Sequence, residues 1–279
     1  MRLTLQHLSA IAGGTMTADR RSNMQSILAG LAAMGVQVGL DRPQRLSQYL
    51  PQLAHESGRF RYDVREDLGN TPARDGDGKL YMGRSGIQVT GGDNYRGFRD
   101  WCWAAGLPAP DFEREPDKVN TDPWEGLAPI WYWSTRNLNR YADEGNIEMV
   151  TRRINGGTNG YADRLVMYER TALVLLGRKL EAGAVRRFQE EHGLIPDDIA
   201  GPQTRGAMHD ALGKLPVFVF GDAPALPAPP IVVPEKPMPA PVVVPPTVPT
   251  PAPGAPLTAI QYLTIIEAAT ADLRKHYGA

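Results

Sequence analysis

The run Asp41-Arg42-Pro43-Gln44-Arg45-Leu46-Ser47-Gln48-Tyr49-Leu50-Pro51-Gln52-Leu53-Ala54-His55-Glu56-Ser57-Gly58 is a helix written in the spacing of its apolar residues. Leu46, Tyr49, Leu50 and Leu53 fall at i, i+3, i+4 and i+7, the stripe of one helical face, and Asp41 and Pro43 supply the opening signals. The helix is expected to run to about Ser57. The same spacing recurs at Ile147, Val150 and Ile154, stopped by Asn155-Gly156-Gly157, and at Tyr161, Leu165, Tyr168, Ala172 and Leu175. Leu3 to about Gly177 therefore reads as mainly α. Strand signals are sparse. The best is Ile87-Gln88-Val89-Thr90, between Gly86 and Gly91-Gly92, whose period of two puts Gln88 and Thr90 on one side.

Beyond this region the composition changes. Of the 25 prolines in the 279 residues, 14 fall between Pro224 and Pro256, a stretch without an aromatic residue. It reads as an extended linker, 223–256, on which no secondary structure is placed. Before it, residues 178–216 carry a helix through Val185 and Phe188, a loop at Gly193 to Gly201, and a helix opened by Pro202. After it, 257–279 has an incomplete apolar stripe of Leu257, Ile260, Leu263, Ile266, Leu273 and Tyr277. A helix of that kind is marginal alone, so a partner of unknown identity is expected for it.

Thirty basic residues against 31 acidic ones give a net charge of −1, so there is no global basic field for gripping nucleic acid. A lone cysteine, Cys102, excludes an internal disulfide. No apolar stretch approaches the roughly 20 residues that span a bilayer, so no stable membrane insertion is expected. No export signal is expected from the first residues, Met1 to Leu8.

The richest chemical constellation is Ala54-His55-Glu56-Ser57-Gly58-Arg59-Phe60 at the end of the first helix. Glu56 lies three residues after Leu53, at the margin of the apolar face. Partial burial and the negative end of the helix dipole both favour the protonated form of a carboxyl there, which suits a general acid. The plain alternative is a glutamate that frays into solvent. A zinc site of the His-Glu-x-x-His kind fails because Arg59 stands where the second histidine is needed, and Asp75-Gly76-Asp77-Gly78 fails as a calcium loop at Lys79 and Leu80. No metal or cofactor is expected. Glu66, beside Arg65 on an exposed connection, is expected to stay ionised. Two carboxyls in opposite protonation states are what glycoside hydrolysis uses.

Three motifs in order carry a resemblance. They are Gln52-Leu53-Ala54-His55-Glu56-Ser57-Gly58, then Tyr81-Met82-Gly83-Arg84-Ser85-Gly86-Ile87-Gln88-Val89-Thr90-Gly91-Gly92-Asp93-Asn94-Tyr95, then Ile154-Asn155-Gly156-Gly157-Thr158-Asn159-Gly160-Tyr161-Ala162-Asp163-Arg164. Together they resemble glycoside hydrolase family 19, more its chitinase-like phage and prophage endolysins than plant chitinases. The resemblance implies a lysozyme-like, two-lobed helical domain over 1–177 with a short β element. It also implies hydrolysis, with inversion, of β-1,4 bonds between N-acetylated amino sugars. Glu56 matches the general acid, and Glu66 is the nearest match for the general base, with Asp63 as fallback. Gln88, Thr90 and Asn94 match polar residues that position substrate and water, and Asn155 and Arg164 match residues bordering the cleft. Ser85 and Gly92 stand where many relatives have Gly and Arg.

Residues 184–194 and 198–204 look like the core of a small helical peptidoglycan-binding module, although the Asp-Gly-Ile usual there is replaced by Asp198-Ile199. The expected protein is an endolysin-type hydrolase of peptidoglycan, made in the cytoplasm and released to the wall through a holin-type pore. The rivals are a chitinase acting on poly-N-acetylglucosamine and a glycan-binding protein without activity. The five tryptophans are left out of the site, since Trp131-Tyr132-Trp133 on a helix fits a core.

Overall fold

The structure is a computed structural model and describes residues 1–65 and 80–221. Glu66, the Asp/Gly-rich loop, the proline-rich segment and the expected C-terminal helix lie outside the described residues. The described chain is mainly helical, as expected, with ten α-helices: α1 Leu5–Ala12, α2 Ala18–Gly30, α3 Pro43–Glu56, α4 Gly92–Ala104, α5 Trp124–Thr135, α6 Asn139–Asp143, α7 Ile147–Asn155, α8 Tyr161–Leu175, α9 Ala184–Glu191 and α10 Pro202–Gly213. A π-helical turn, Leu31–Gly35, extends α2, and a 3-10 turn, Pro116–Asn120, precedes α5.

The helix read from the Leu46 spacing is α3, and its apolar stripe is the centre of the core. Leu46, Tyr49, Leu50, Leu53 and Ala54 are all buried. α3 packs along α8, whose Met167, Tyr168, Ala172 and Leu175 close the other side. Pro51 and Pro129 sit inside α3 and α5, and both helices continue through them. Burial on every side of these two helices outweighs the missing backbone hydrogen bond and ring clash, worth about 3 kcal/mol.

α2 and α5 cross at nearly touching backbones. A Cβ on Gly126 would lie 1.8 Å from the Ser26 carbonyl oxygen, and one on Gly30 would lie 2.1 Å from that of Gly126. Only glycine fits at such a crossing. Gly126→Ala is expected to cost about 3 kcal/mol, because backbone rather than a movable side chain must give way. Chemical denaturation reads this directly, and an unchanged midpoint would mean that the helices are not so close.

The expected strand at Ile87–Thr90 is corrected. These residues close a tight turn in which Ser85 and Gln88 take φ of 63° and 56°, and only Val89 pairs, exchanging hydrogen bonds of 2.8 and 3.1 Å with Arg84. Two left-handed residues in a loop this short leave no room for a ladder. The regular β structure is instead β1, Val64–Arg65, antiparallel to β2, Gly83–Arg84, with Val64 opposite Arg84 and Arg65 opposite Gly83. Gln88 and Thr90 nevertheless share a side, because both approach Gly83. A Cβ there would stand 2.7 Å from Gln88 Oε1 and 3.3 Å from Thr90 Oγ1.

α10 packs against α3 and α8. The loop between α9 and α10 is gathered by Gln189, whose amide nitrogen donates to Asp197 Oδ1 (2.7 Å), the Ile199 carbonyl (3.0 Å) and Thr204 Oγ1 (3.0 Å), while its Oε1 accepts from the Asp198 amide (3.0 Å). Asp198 has φ 63°. The turn is therefore a three-residue Asp197-Asp198-Ile199 in which aspartate takes the left-handed position that glycine favours, not a turn one residue short. After α10 the chain returns to its start. Val219 bridges Arg2 in parallel, Phe218 N–H donates to the Asp41 carbonyl (2.7 Å), and Phe218 and Phe220 are buried.

Candidate active site

Glu56 is the last residue of α3, with its side chain 16% exposed. Opposite it, on α8, Arg164 has no exposed surface. Its Nη2 lies 2.5 Å from Glu56 Oε1, and its Nη1 donates to Gln52 Oε1. Gln48, Gln52 and Glu56 are spaced at i, i+4 and i+8, so one polar file runs along the α3 face that meets α8. Both amide atoms of Gln48 and the Nε2 of Gln52 have no hydrogen-bond partner among the described residues. Arg164 thus holds the Glu56 and Gln52 side chains from a fully buried position.

The end of α3 is fixed from several directions. Ser57 Oγ donates to the Leu53 carbonyl (2.6 Å) and accepts from the Phe60 amide (2.9 Å). Gly58, Arg59 and Phe60 all take positive φ, so the chain turns sharply away after Glu56. α2 clamps this turn. Arg20 Nε donates to the Arg59 carbonyl (3.1 Å) and Asn23 Nδ2 to the Phe60 carbonyl (3.2 Å). His55 Nδ1 pairs with Asp163 Oδ2 at 2.7 Å, and its ring lies where a Cβ on Gly160 would be, 2.2 Å from Nε2. The third motif thereby docks onto the first.

The second wall is the Gln88 turn and the start of α4. Gln88 Nε2 donates to the Ser85 carbonyl (3.0 Å), and its buried Oε1 has no partner among the described residues. Exposed Thr90 bonds the Gln88 carbonyl (3.0 Å), and Asn94 Nδ2 donates to the Thr90 carbonyl (2.8 Å). An open cavity of about 510 Å³ lies beside Asn94, lined also by Tyr81, Gly92, Asp93, Arg96 and Glu113. Asn155 ends α7 in an exposed position.

Two further residues lie beside these walls: Tyr132, read from the sequence as part of a core run, and Arg136, which the sequence reading did not single out. Tyr132 is half-buried and its hydroxyl donates to the Ile154 carbonyl (3.2 Å), next to Asn155. Burial pushes this hydroxyl's pKa up. Arg136 opposes that shift, the Glu56 charge adds to it and Arg164 opposes it, so the phenol feels the candidate acid and both guanidiniums. Arg136 lies 3.5 Å above the Tyr132 ring centroid, and its Nη2 donates to Asn94 Oδ1 (3.3 Å). Hydrogen bonds and stacking therefore link Thr90 and Asn94 through Arg136 to Tyr132, whose hydroxyl also feels the Glu56 charge. Of the tryptophans, Trp124, Trp131 and Trp133 are buried, and Trp103 is exposed with Arg99 over its ring.

Asp63 is half-buried, and its charge acts on Glu125. Glu125 is buried on α5 and accepts from Ser26 Oγ (3.2 Å). Burial first, and the Asp63 charge second, raise its pKa to about 7 from the ordinary 4.5. The sign follows directly: between pH 4.5 and 7 the folded chain holds a proton that the unfolded chain has lost, so stability falls as pH rises through this window. Glu125→Gln is expected to remove that slope and to raise stability at pH 8 by about 3 kcal/mol relative to wild type. Thermal melts of both proteins at pH 5 and 8 check it; parallel slopes would exclude Glu125 as the cause.

Among the described residues no group of His, Cys, Asp and Glu side chains is arranged to hold a metal, and no helix is long and apolar enough to cross a membrane.

Over 101 residues the chain is 43% identical to a Haemophilus influenzae protein named glycosyl hydrolase family 19 domain-containing protein, a match covering 36% of this chain and 46% of that one. The chain thus matches about half the length of this relative. No family model matches. Among solved structures, chitinase C of Streptomyces griseus is 18% identical with a TM-score of 0.49, over 65% of this chain and 79% of that one. A class IV family 19 chitinase of Zea mays is 20% identical with a TM-score of 0.42, over 60% and 90%. The resemblance of this chain to glycoside hydrolase family 19 rests on the three motifs and the 43% identity.

Proposed function

We propose that this chain is a glycoside hydrolase that cleaves β-1,4 bonds between the N-acetylated amino sugars of peptidoglycan, with inversion, and that it serves as a phage or prophage endolysin. The observation that carries the reading is Glu56 at the end of α3, held at 2.5 Å by the fully buried Arg164 of the third motif. In this mechanism Glu56 gives its proton to the leaving glycosidic oxygen as the anomeric carbon becomes cationic. Glu66 takes a proton from a water that attacks the opposite face of the sugar, with Thr90 helping to hold that water. The position of Glu66 in the chain supports its role. It directly follows β1, whose Arg65 pairs with Gly83, and Gly83 is the residue that Gln88 and Thr90 approach. An inverting pair needs about 6.5–9.5 Å between carboxyls to admit the water.

Residues 178–216 are proposed as a wall-binding unit docked on the catalytic helices, followed by the 223–256 linker and the 257–279 helix. Mass spectrometry of muropeptides released by wild type, Glu56→Gln and Glu66→Gln tests the assignment. New reducing ends from wild type, absent with both variants, are expected. Intact glycans with broken peptide stems would end the glycosidase reading, and faster release from chitin than from peptidoglycan would transfer the substrate to poly-N-acetylglucosamine.

A further inference from the structure

We infer that Arg136 is the residue by which the cleft selects a carboxylate-bearing glycan over a neutral one. The inference rests on the glycosidase reading above and deepens it. Poly-N-acetylglucosamine carries no charge along its chain, whereas peptidoglycan carries carboxylates, either on the lactyl ether of its muramic acid or on the peptide stem attached there. A cleft that distinguishes the two needs a cation that is not already neutralised.

The candidate acid's own guanidinium does not qualify. Arg164 is wholly buried, and its two terminal nitrogens are committed to Glu56 and Gln52. Arg96 and Arg99 on the neighbouring wall are taken by Glu113, Asp93, Asp100 and Asp111. Arg136 differs from all of these. Among the described residues it has no carboxylate within ion-pair distance. One face of its guanidinium rests on Tyr132, with Trp131 5.4 Å away, and one nitrogen donates to Asn94.

Stacking fixes the plane of the group; Asn94 and the Tyr132 hydroxyl each engage it, and the remaining N–H groups are left to grip a carboxylate. Its position also fits. It touches Asn94 on one side and, through Tyr132, reaches the Ile154 carbonyl and the electrostatic neighbourhood of Glu56 on the other. Lysine would keep the charge at this position but lose the fork and much of the stacking.

The test reads binding rather than turnover, on full-length Glu56→Gln protein, by isothermal titration. Four ligands are compared: stem-free glycan strands with free lactyl carboxylates, the same strands with those groups converted to neutral methyl amides, stem-bearing strands, and a chitin hexamer. Carboxylate-bearing strands are expected to bind about tenfold more tightly than the neutral ones. Adding Arg136→Gln is expected to bring that ratio close to one, and Arg136→Lys to restore part of it. A preference seen with stem-free strands assigns the anion to the lactyl group, and one seen only with stem-bearing strands assigns it to the stem; both support the inference. An unchanged ratio in Arg136→Gln overturns it. So does an equal loss on all four ligands, which would mean that Arg136 only holds Asn94 in place. Failure of the glycosidase reading is separately visible, as wild-type protein releasing no reducing ends from any strand.

Discussion

Glu56→Gln is expected to lower kcat on peptidoglycan strands by about 10³-fold, with KM changed less than threefold. Glutamine has nearly the size and shape of glutamate and still offers Arg164 an oxygen, so the end of α3 keeps its packing against α8. It has no proton to give the leaving oxygen. The departing sugar then leaves as an alkoxide in water, and the loss falls on the chemical step rather than on binding. Reducing-end assays over a range of substrate concentration separate the two constants. A kcat within tenfold of wild type would remove Glu56 from the acid role, and Asp163, which pairs with the adjacent His55, would become the next candidate.

The second large effect concerns Arg164. Arg164→Met is expected to destabilise the fold by about 3 to 5 kcal/mol, the range for breaking a buried pair by deleting one partner. The cation is fully buried, so methionine fills the volume, but Glu56 is left without its guanidinium and Gln52 Oε1 without its donor. The same change in a Glu56→Gln background is expected to cost at least about 1 kcal/mol less, because no carboxylate is then stranded. A double-mutant cycle in urea measures that difference. If the two losses simply add, the contact between Arg164 and Glu56 contributes nothing to the fold, and Arg164 acts through Gln52 and packing alone. Activity of the single variant is expected to fall with the stability, since the carboxyl has lost the group that orients it.

Much of this architecture was legible in the spacing of apolar residues. Leu46, Tyr49, Leu50 and Leu53 place α3 and point its face inward, and Asn155-Gly156-Gly157 ends α7, with Gly156 left-handed as a helix stop requires. Glu56 was legible as a carboxyl at the margin of an apolar stripe. The Gln88 segment was misread as a strand because alternation over four residues resembles a turn whose side chains happen to converge on Gly83. Positive φ at Ser85 and Gln88 has no signature in apolar periodicity.

Tyr132 and Arg136 were hidden for a different reason. Tyr132 lies in an aromatic run whose two tryptophans do enter the core, and spacing alone does not say which ring turns to a cleft. Arg136 caps a helix C-terminus, where a basic residue is already explained by the helix dipole. Its partner Asn94 is 42 residues away, and that pairing exists only once α4 and α5 have packed.

The meeting of residues 1–3 with residues 217–219 has a mechanical consequence. The two segments run parallel, and Leu3, Val219 and the amino terminus share backbone hydrogen bonds of 2.6 to 3.3 Å. Tension drawn through the first residues and through the chain beyond Gly221 pulls parallel segments in opposite directions, so these bonds are loaded together in shear rather than opened one by one. The load is carried at that edge, beside α2 and the Asp41 carbonyl, and the geometry around Glu56 is spared it. A body pulled from both segments therefore resists first at this edge, where its bonds must fail together.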